Sequence, residues 1–87
     1  MADAVIRAKM RVESVTHHKD NDGATEQEDV TLRAVYGPAG TENGKWSKWT
    51  PNGLLQLSIT NPGAQDKVRR GHVYFVDLTP VTETPDN

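Results

Sequence analysis

The first regular pattern in the chain spans residues 5–15, which read Val5-Ile6-Arg7-Ala8-Lys9-Met10-Arg11-Val12-Glu13-Ser14-Val15. Apolar and charged side chains alternate strictly along it, with Ile6, Ala8, Met10 and Val12 on one side. Alternation with a single apolar face predicts a β-strand that is buried on that face. The fold is therefore expected to grow from a half-buried strand.

A second alternating segment spans residues 29–36 and places Val30, Leu32, Ala34 and Tyr36 on one face. The polar residues 16–28 between the two segments, with Gly23 near their middle, predict a mobile loop. An antiparallel hairpin turning near Asp22 would join the apolar faces and set Val12 opposite Leu32. The opposite, exposed face would then carry the basic residues Arg7, Lys9, Arg11 and Arg33.

Two further strands are predicted nearer the C-terminus. Residues 54–60 place Leu55, Leu57 and Ile59 on one face. Asn61-Pro62 is typical of a helix start, and the helix is expected to run to about residue 68. Residues 72–78 are apolar on both faces, which favours a central or closing strand. The glycine-rich residues 37–44 predict a loop, with an extra short strand around residues 46–49 as an option.

The predicted fold class is mainly β: a small twisted β-barrel, or a curled antiparallel sheet, of four to five strands with one short helix before the last strand. One domain is expected over residues 1–79, with a mobile acidic loop at 16–29, and residues 80–87 are expected to form a flexible acidic tail.

Composition restricts the class of protein. The 87 residues are 34% hydrophobic and include no cysteine, so the core is small and has no disulfide. Such a domain is expected to draw stability from an oligomer or a partner surface. No apolar run approaches the roughly 20 residues of a membrane span, and the N-terminus does not resemble a signal peptide, so we expect no membrane partner.

The net charge of −2 is unevenly distributed. Residues 16–29 carry five carboxylates and one lysine, and the C-terminal tail is also acidic. The remaining body is mildly basic. This asymmetry permits an anionic partner without requiring one, because it is equally typical of ordinary solubility charge.

The two tryptophans occur together in Lys45-Trp46-Ser47-Lys48-Trp49-Thr50-Pro51-Asn52-Gly53. Its last four residues fit a tight turn. The tryptophans either form a lid on the core or face a partner, and both interpretations stay open. Aromatics beside cations are also typical of single-stranded nucleic-acid binders, although the net acidity argues against this. The candidate binding residues are Trp46, Trp49, Lys45, Lys48, Tyr36, Arg7, Lys9, Arg11 and Arg33.

Catalytic and metal chemistry find little support. His18, Asp20, Asp22 and Asp29 only loosely resemble a calcium loop, and Gly40 to Trp46 does not fit a phosphate loop. No histidine or serine lies in a recognisable nucleophile motif. Asp77 would gain a raised pKa if it were buried, but a hydrogen-bonded acid at a strand edge is the alternative. We expect no enzyme, no catalytic residue, no metal site and no cofactor.

Five segments resemble small proteins of tailed bacteriophages: Arg7-Ala8-Lys9 with Ser14-Val15-Thr16, Leu32 to Gly37, Lys48 to Gly53, Ile59 to Ala64, and Gly71 to Asp77. The most specific pieces are the Trp-Thr-Pro-Asn-Gly turn and the Thr-Asn-Pro corner. The chain departs from the group before the last strand, where it has Val68-Arg69-Arg70-Gly71 instead of an aromatic residue followed by Pro-Gly. The resemblance implies a viral origin and no mechanism.

The expected function is a non-enzymatic phage protein that acts by binding, as a virion-associated or capsid-decorating subunit. One alternative is an intracellular inhibitor or sponge for a host defence protein or a nucleotide signal. A second alternative is a single-stranded nucleic-acid-binding protein. The expected partner is a capsid protein or host factor, with a homo-oligomer as an option, and the expected location is the virion or the cytoplasm of the infected bacterium.

Overall fold

The structure is a computed structural model that describes residues 6–82. Four strands form one antiparallel sheet: β1 Ile6–Lys19, β2 Thr25–Ala34, β3 Leu54–Ile59 and β4 Val73–Leu78. The order across the sheet is β3-β2-β1-β4. Helix α1, Glu42–Trp49, connects β2 to β3, and a 3₁₀ helix, Pro62–Ala64, precedes β4. The predicted mainly β class is confirmed as an open, curled sheet rather than a closed barrel.

Strands β1 and β2 form a long hairpin that takes in most of the predicted acidic loop. Residues 16–19 and 25–29 continue the two strands, so the predicted loop is reduced to a turn. The Asp20 side chain closes this turn by accepting hydrogen bonds from the backbone N–H groups of Asp22 and Ala24, at 2.8 and 3.0 Å. Gly23 supplies the left-handed backbone that the turn requires (φ 85°). The loop prediction was wrong because it scored polarity and missed this side-chain cap.

The predicted pairing of Val12 with Leu32 is confirmed. Immediately after it, the register shifts, so that Val12 pairs with Leu32 but Ser14 pairs with Thr31. Glu13 is the extra residue of this β-bulge. The bulge returns Val15 and His17 to the face on which Val12 lies. His17 therefore lies on the same face as its cross-strand partner, Glu28.

The core lies on one face of the sheet, beneath the chain segment that connects β3 to β4. Because β3 and β4 are at opposite edges, residues 60–72 must cross this face, which we call the crossover face. Its buried members are Ala8, Met10, Val12, Val30 and Leu32, and Val68 of the crossing segment packs against them. Tyr74 holds that segment down, since its hydroxyl donates to the Lys67 carbonyl (3.2 Å) and accepts from the Arg69 N–H (3.3 Å).

The opposite face carries helix α1, and we call it the helix face. Strand β4 is an edge strand, so its predicted central or closing position was wrong. Its faces divide as predicted, with Tyr74, Val76 and Leu78 on the crossover face and Val73 and Phe75 on the helix face. Although Phe75 lies on an edge strand, it has an apolar neighbour on this face. Trp46 of α1 packs against it, with ring centroids 5.4 Å apart.

Residues 37–41 form a loop as predicted, but helix α1 begins at Glu42, so it takes in residues 42–44 of the predicted loop and replaces the optional strand at 46–49. Its N-cap is Thr41, whose hydroxyl accepts from the Gly44 N–H at 3.0 Å. Gly44 is buried, and a β-carbon there would collide with the Pro38 carbonyl oxygen, so glycine lets the helix approach this loop. The helix ends at Trp49, and the N–H of the following residue, Thr50, donates to the Trp46 carbonyl at 2.8 Å. Residues 51–53 are irregular, so the tight turn predicted at 50–53 is not formed.

The helix predicted after Asn61 is present but shorter than expected. Asn61 caps it as predicted, accepting from the Gly63 N–H at 3.0 Å, and the 3₁₀ turn ends at Ala64. Residues 79–82 have no regular structure, and the rest of the predicted acidic tail lies outside the described residues. Within residues 6–82, no helix has the length and apolar character needed to cross a membrane.

Candidate functional site

The four basic residues predicted to share one exposed face do lie together on the helix face. Arg7, Lys9 and Arg11 alternate with the buried positions of β1, and Arg33 is the cross-strand partner of Arg11. Each of the four, however, already has an acceptor within the chain. The placement predicted from the sequence is therefore confirmed, but the charges are matched by intramolecular groups.

Arg7 has the most extensive of these contacts. Its Nε and one terminal nitrogen donate to the two carboxylate oxygens of Asp77, at 2.7 and 2.9 Å. Its guanidinium carbon also lies 4.9 Å from the centroid of the Phe75 ring, in a cation–π arrangement. Arg7 therefore connects the acid of β4 to the aromatic pair beneath helix α1.

The pKa of Asp77 is lowered from its ordinary value, chiefly by the hydrogen bonds from Arg7 and further by the charge of that guanidinium. The same pair raises the pKa of Arg7. Both side chains are exposed, so Asp77 is a hydrogen-bonded edge acid and not a buried acid of raised pKa. It has no feature of a general acid.

Each of the other three cations also contacts an oxygen atom of the chain. Arg33 Nε lies 2.5 Å from a Glu13 carboxylate oxygen, so the bulge residue supplies its counter-charge. Arg11 donates to the Gly71 carbonyl at 3.0 Å, and Lys9 Nζ donates to Asn43 Oδ1 at 2.7 Å. The Lys9 bond also ties β1 to helix α1.

The two tryptophans, which the sequence left between lid and contact, differ in exposure. Trp46 is partly buried against Phe75, whereas Trp49 is 81% exposed at the end of the helix. Lys45 and Lys48 are exposed on the same helix, and Lys45 lies 3.8 Å from Glu42. Tyr36 is 84% exposed beyond the end of β2, outside the sheet on which it was predicted.

Two hollows are lined in part by the members of the Trp46–Phe75 contact, one by Trp46 and the other by Phe75. One, of about 500 Å³, lies between the tryptophans and the lysines of α1. The other, of about 150 Å³, is lined by Lys9, Val73, Tyr74 and Phe75. We call Trp46, Trp49, Val73 and Phe75 the aromatic patch. Sequence reasoning missed Phe75 and Val73, although their alternation along β4 had already placed them on one face.

A second cluster lies on the crossover face, where β1, β2 and the crossing segment meet. It brings together His17, Glu28 and Asp66, with one nitrogen or oxygen of each within 4.8 Å of the others. Glu28 is 0% exposed, and its Oε2 accepts the Asp66 N–H at 3.0 Å. Sequence reasoning did not single out these three residues, which are far apart along the chain.

The calcium-like pattern of residues 18–29 does not form a site. Asp20 is used in the hairpin turn, and His18 pairs with Asp29 on the helix face, at 2.7 Å. Hydrogen bonds from Gln27, then His18 and Ser58, lower the pKa of Asp29. The candidate ligands of the predicted pattern therefore lie in separate local interactions.

Comparisons with known proteins add no relative: no protein family, no curated protein and no solved structure matches this chain.

Proposed function

We propose that this chain is a non-enzymatic binding protein of a tailed bacteriophage, a virion-associated subunit that docks on a capsid protein through its aromatic patch. The observation that carries the proposal is the exposure of large apolar side chains on the helix face of so small a domain. Trp49 is 81% exposed and Phe75 is 56% exposed, and they are linked through Trp46. Large aromatic side chains that become buried on binding are the usual anchors of protein interfaces.

The position of the patch also suits a protein partner. Phe75 and Val73 belong to β4, an edge strand whose outer backbone groups are unpaired within the sheet. A partner strand can therefore use the edge while its side chains reach the two hollows. The buried apolar residues of the described chain are few, so burial of the patch would add substantially to the apolar area that the domain removes from water.

A protein partner is favoured over nucleic acid because of the charges. A single-stranded nucleic-acid binder requires cations that are free to follow phosphates beside its stacking platforms. Lys45 and Lys48 of α1 are exposed beside the tryptophans. On the sheet itself, however, Arg7 and Arg33 are paired with carboxylates, and Lys9 and Arg11 donate to oxygens of the chain. Binding phosphates there would require these contacts to be broken.

The bacteriophage setting comes from the resemblance of five segments, above all the Trp-Thr-Pro-Asn-Gly stretch, which here forms the end of α1 and its exit. That stretch contains Trp49, the most exposed member of the patch. The resemblance and the exposed aromatic therefore fall on the same segment, and this supports its use as the contact.

The first test is quantitative mass spectrometry of gradient-purified particles from the source phage. We expect the protein at many copies per particle. Absence from particles, together with abundant protein in the infected lysate, would overturn the virion assignment in favour of an intracellular inhibitor or nucleic-acid binder.

A second test locates the contact by co-sedimentation of the purified protein with particles that lack it. We expect Trp49→Ala to weaken binding at least tenfold, as for an interface anchor. The neighbouring Lys48→Ala, and Leu57→Ala at an exposed apolar position on the other face, should change binding less than about threefold. Equal effects of Trp49→Ala and Leu57→Ala would remove the aromatic patch as the docking surface.

A further inference from the structure

We propose that His17, Glu28 and Asp66 form a binding site for one divalent cation of the zinc type, which ties the crossing segment to the β1–β2 hairpin. The site is separate from the aromatic patch and does not depend on the docking proposal. It replaces the expectation from sequence that the protein has no metal site.

The donors converge from three parts of the fold. His17 and Glu28 are cross-strand partners on β1 and β2, and the bulge at Glu13 turns His17 toward the crossover face. Asp66 arrives from the crossing segment above them. One imidazole nitrogen and two carboxylates are ligands that zinc accepts, usually with a water in the remaining position.

The separations between the donor atoms suit a shared cation better than direct hydrogen bonds. His17 Nε2 lies 3.3 Å from Glu28 Oε2 and 3.5 Å from Asp66 Oδ1. Charge-assisted hydrogen bonds are shorter, at about 2.7–2.9 Å. Ligands about 2.1 Å from a tetrahedral zinc ion are about 3.4 Å from one another. By contrast, His18 and Asp29 on the opposite face lie 2.7 Å apart, a true hydrogen bond.

The carboxylate of Glu28 gives independent evidence for a bound cation, because one of its oxygens lacks a hydrogen-bond partner among the described residues. Glu28 is 0% exposed, and within residues 6–82 its Oε1 has no hydrogen-bond partner. The other oxygen, Oε2, faces His17 and Asp66, so a cation bound by both oxygens of this carboxylate would give Oε1 its missing partner. A buried, unpaired carboxylate oxygen is costly, and a cation beside it would remove that cost.

Charge balance points the same way. Glu28 and Asp66 place two carboxylates around one imidazole, and the charge of one divalent cation matches that of two carboxylates. Arg69, Arg70 and His72 line the groove of about 710 Å³ beside the cluster. In the described part of the chain, neither arginine forms an ion pair with Glu28 or Asp66, so no arginine occupies the position of the cation.

The mixed nitrogen and oxygen donors favour zinc over calcium and magnesium. Calcium takes six to eight oxygen ligands and magnesium retains most of its water, so a site with one imidazole and two carboxylates suits neither. Zinc fits, and it would act as a structural clasp in a small domain that has no disulfide. The crossing segment, which covers the core, would then be fixed to the sheet at one more point.

The experiment uses the tag-free full chain after treatment with EDTA, titrated with ZnCl₂ by isothermal calorimetry and followed by thermal denaturation. We expect one zinc ion per chain and a melting temperature raised by about 5 °C or more at saturation. His17→Ala and Asp66→Asn should each weaken zinc binding at least tenfold. His18→Ala, the neighbouring histidine on the other face, should change it less than twofold.

Asp66→Asn keeps the test independent of folding. Asp66 is largely exposed and has a left-handed backbone (φ 62°) that asparagine also tolerates, so this variant should fold as the wild type does. The proposal is overturned if zinc neither binds nor stabilises the wild type, or if Asp66→Asn and His18→Ala bind zinc equally. Stabilisation by MgCl₂ or CaCl₂ equal to that by ZnCl₂ would also overturn it.

Discussion

The two faces of the sheet are covered in different ways, although the same four strands build both. On the crossover face, an irregular segment closes over aliphatic side chains and is held by the Tyr74 hydroxyl and the Glu28 carboxylate. On the helix face, a two-turn helix contacts one edge through Trp46 and Lys9, and ion pairs fill much of the rest. The helix therefore covers its face less completely, since Phe75 beneath it remains 56% exposed.

This difference assigns separate tasks to the two faces. The crossover face contains most of the apolar side chains that are hidden from water, so it supplies most of the stability. The helix face leaves its aromatic side chains exposed, so they remain available to a partner. Substitutions on the two faces are accordingly expected to differ in what they change.

The largest expected effect is the contrast between two leucines on the strand pair β2–β3. Leu32 is 4% exposed on the crossover face, whereas Leu54 is 51% exposed on the helix face. We expect Leu32→Ala to lower the free energy of unfolding by about 2–5 kcal/mol, since it leaves a cavity in the core. Leu54→Ala should cost about 1 kcal/mol or less. Urea denaturation of both variants measures the difference, and similar losses would show that the core is not confined to the crossover face.

An intermediate effect on stability is expected at Gly44, where helix α1 lies very close to the Pro38 backbone. A β-carbon would collide with the Pro38 carbonyl oxygen, which is backbone and cannot turn aside. Gly44→Ala gains about 1 kcal/mol of helix propensity, but the overpacking costs about 1–3 kcal/mol, so we expect a net loss. Displacement of the helix should also shift the tryptophan emission to longer wavelength.

Gly63→Ala is the matched control for this prediction. A β-carbon at Gly63 would meet only Asn61 Oδ1 at an ordinary 3.5 Å, so we expect a change within about 0.5 kcal/mol. Thermal denaturation of the two variants compares them directly. A Gly44→Ala protein as stable as the wild type would mean that helix α1 is not held against the Pro38 loop.

The comparison of faces also shows what the sequence could predict. Alternation identified β1, β2, β3 and β4, the pairing of Val12 with Leu32, and the basic residues of the helix face, because a period of two is fixed by strand geometry. It could not predict the bulge at Glu13, which reverses the faces of all later residues of β1. Without the bulge, His18 would face the core, and with it His17 does.

Helix α1 was missed for a different reason. Its sequence, Glu-Asn-Gly-Lys-Trp-Ser-Lys-Trp, has no apolar stripe, and it contains a glycine that argues against a helix. The signals that were available are Thr41 as N-cap, Glu42 in the first turn and Lys48 in the last. The cluster of His17, Glu28 and Asp66 was beyond sequence reasoning, because Asp66 reaches the hairpin pair of His17 and Glu28 only through the crossing segment.

The smallest expected effect is a dependence of the helix face on pH through the exposed Arg7–Asp77 pair. Arg7 lowers the pKa of Asp77 in the folded protein, whereas the unfolded chain should titrate near the ordinary value of about 3.9. The stabilisation is therefore fully present above that value, and it is lost as the pH falls through the lower, folded pKa. Asp77→Asn should be slightly less stable than the wild type at pH 7 and should lose less stability between pH 5 and 2. Carboxyl NMR titration measures the pKa directly, and an Asp77 pKa at or above the ordinary value would contradict the pairing. Asp29 lies on the same face and also has a lowered pKa, which does not depend on Arg7. Asp29→Asn should therefore also reduce the stability that is lost at low pH, and it should do so whether or not the Arg7–Asp77 pair is present.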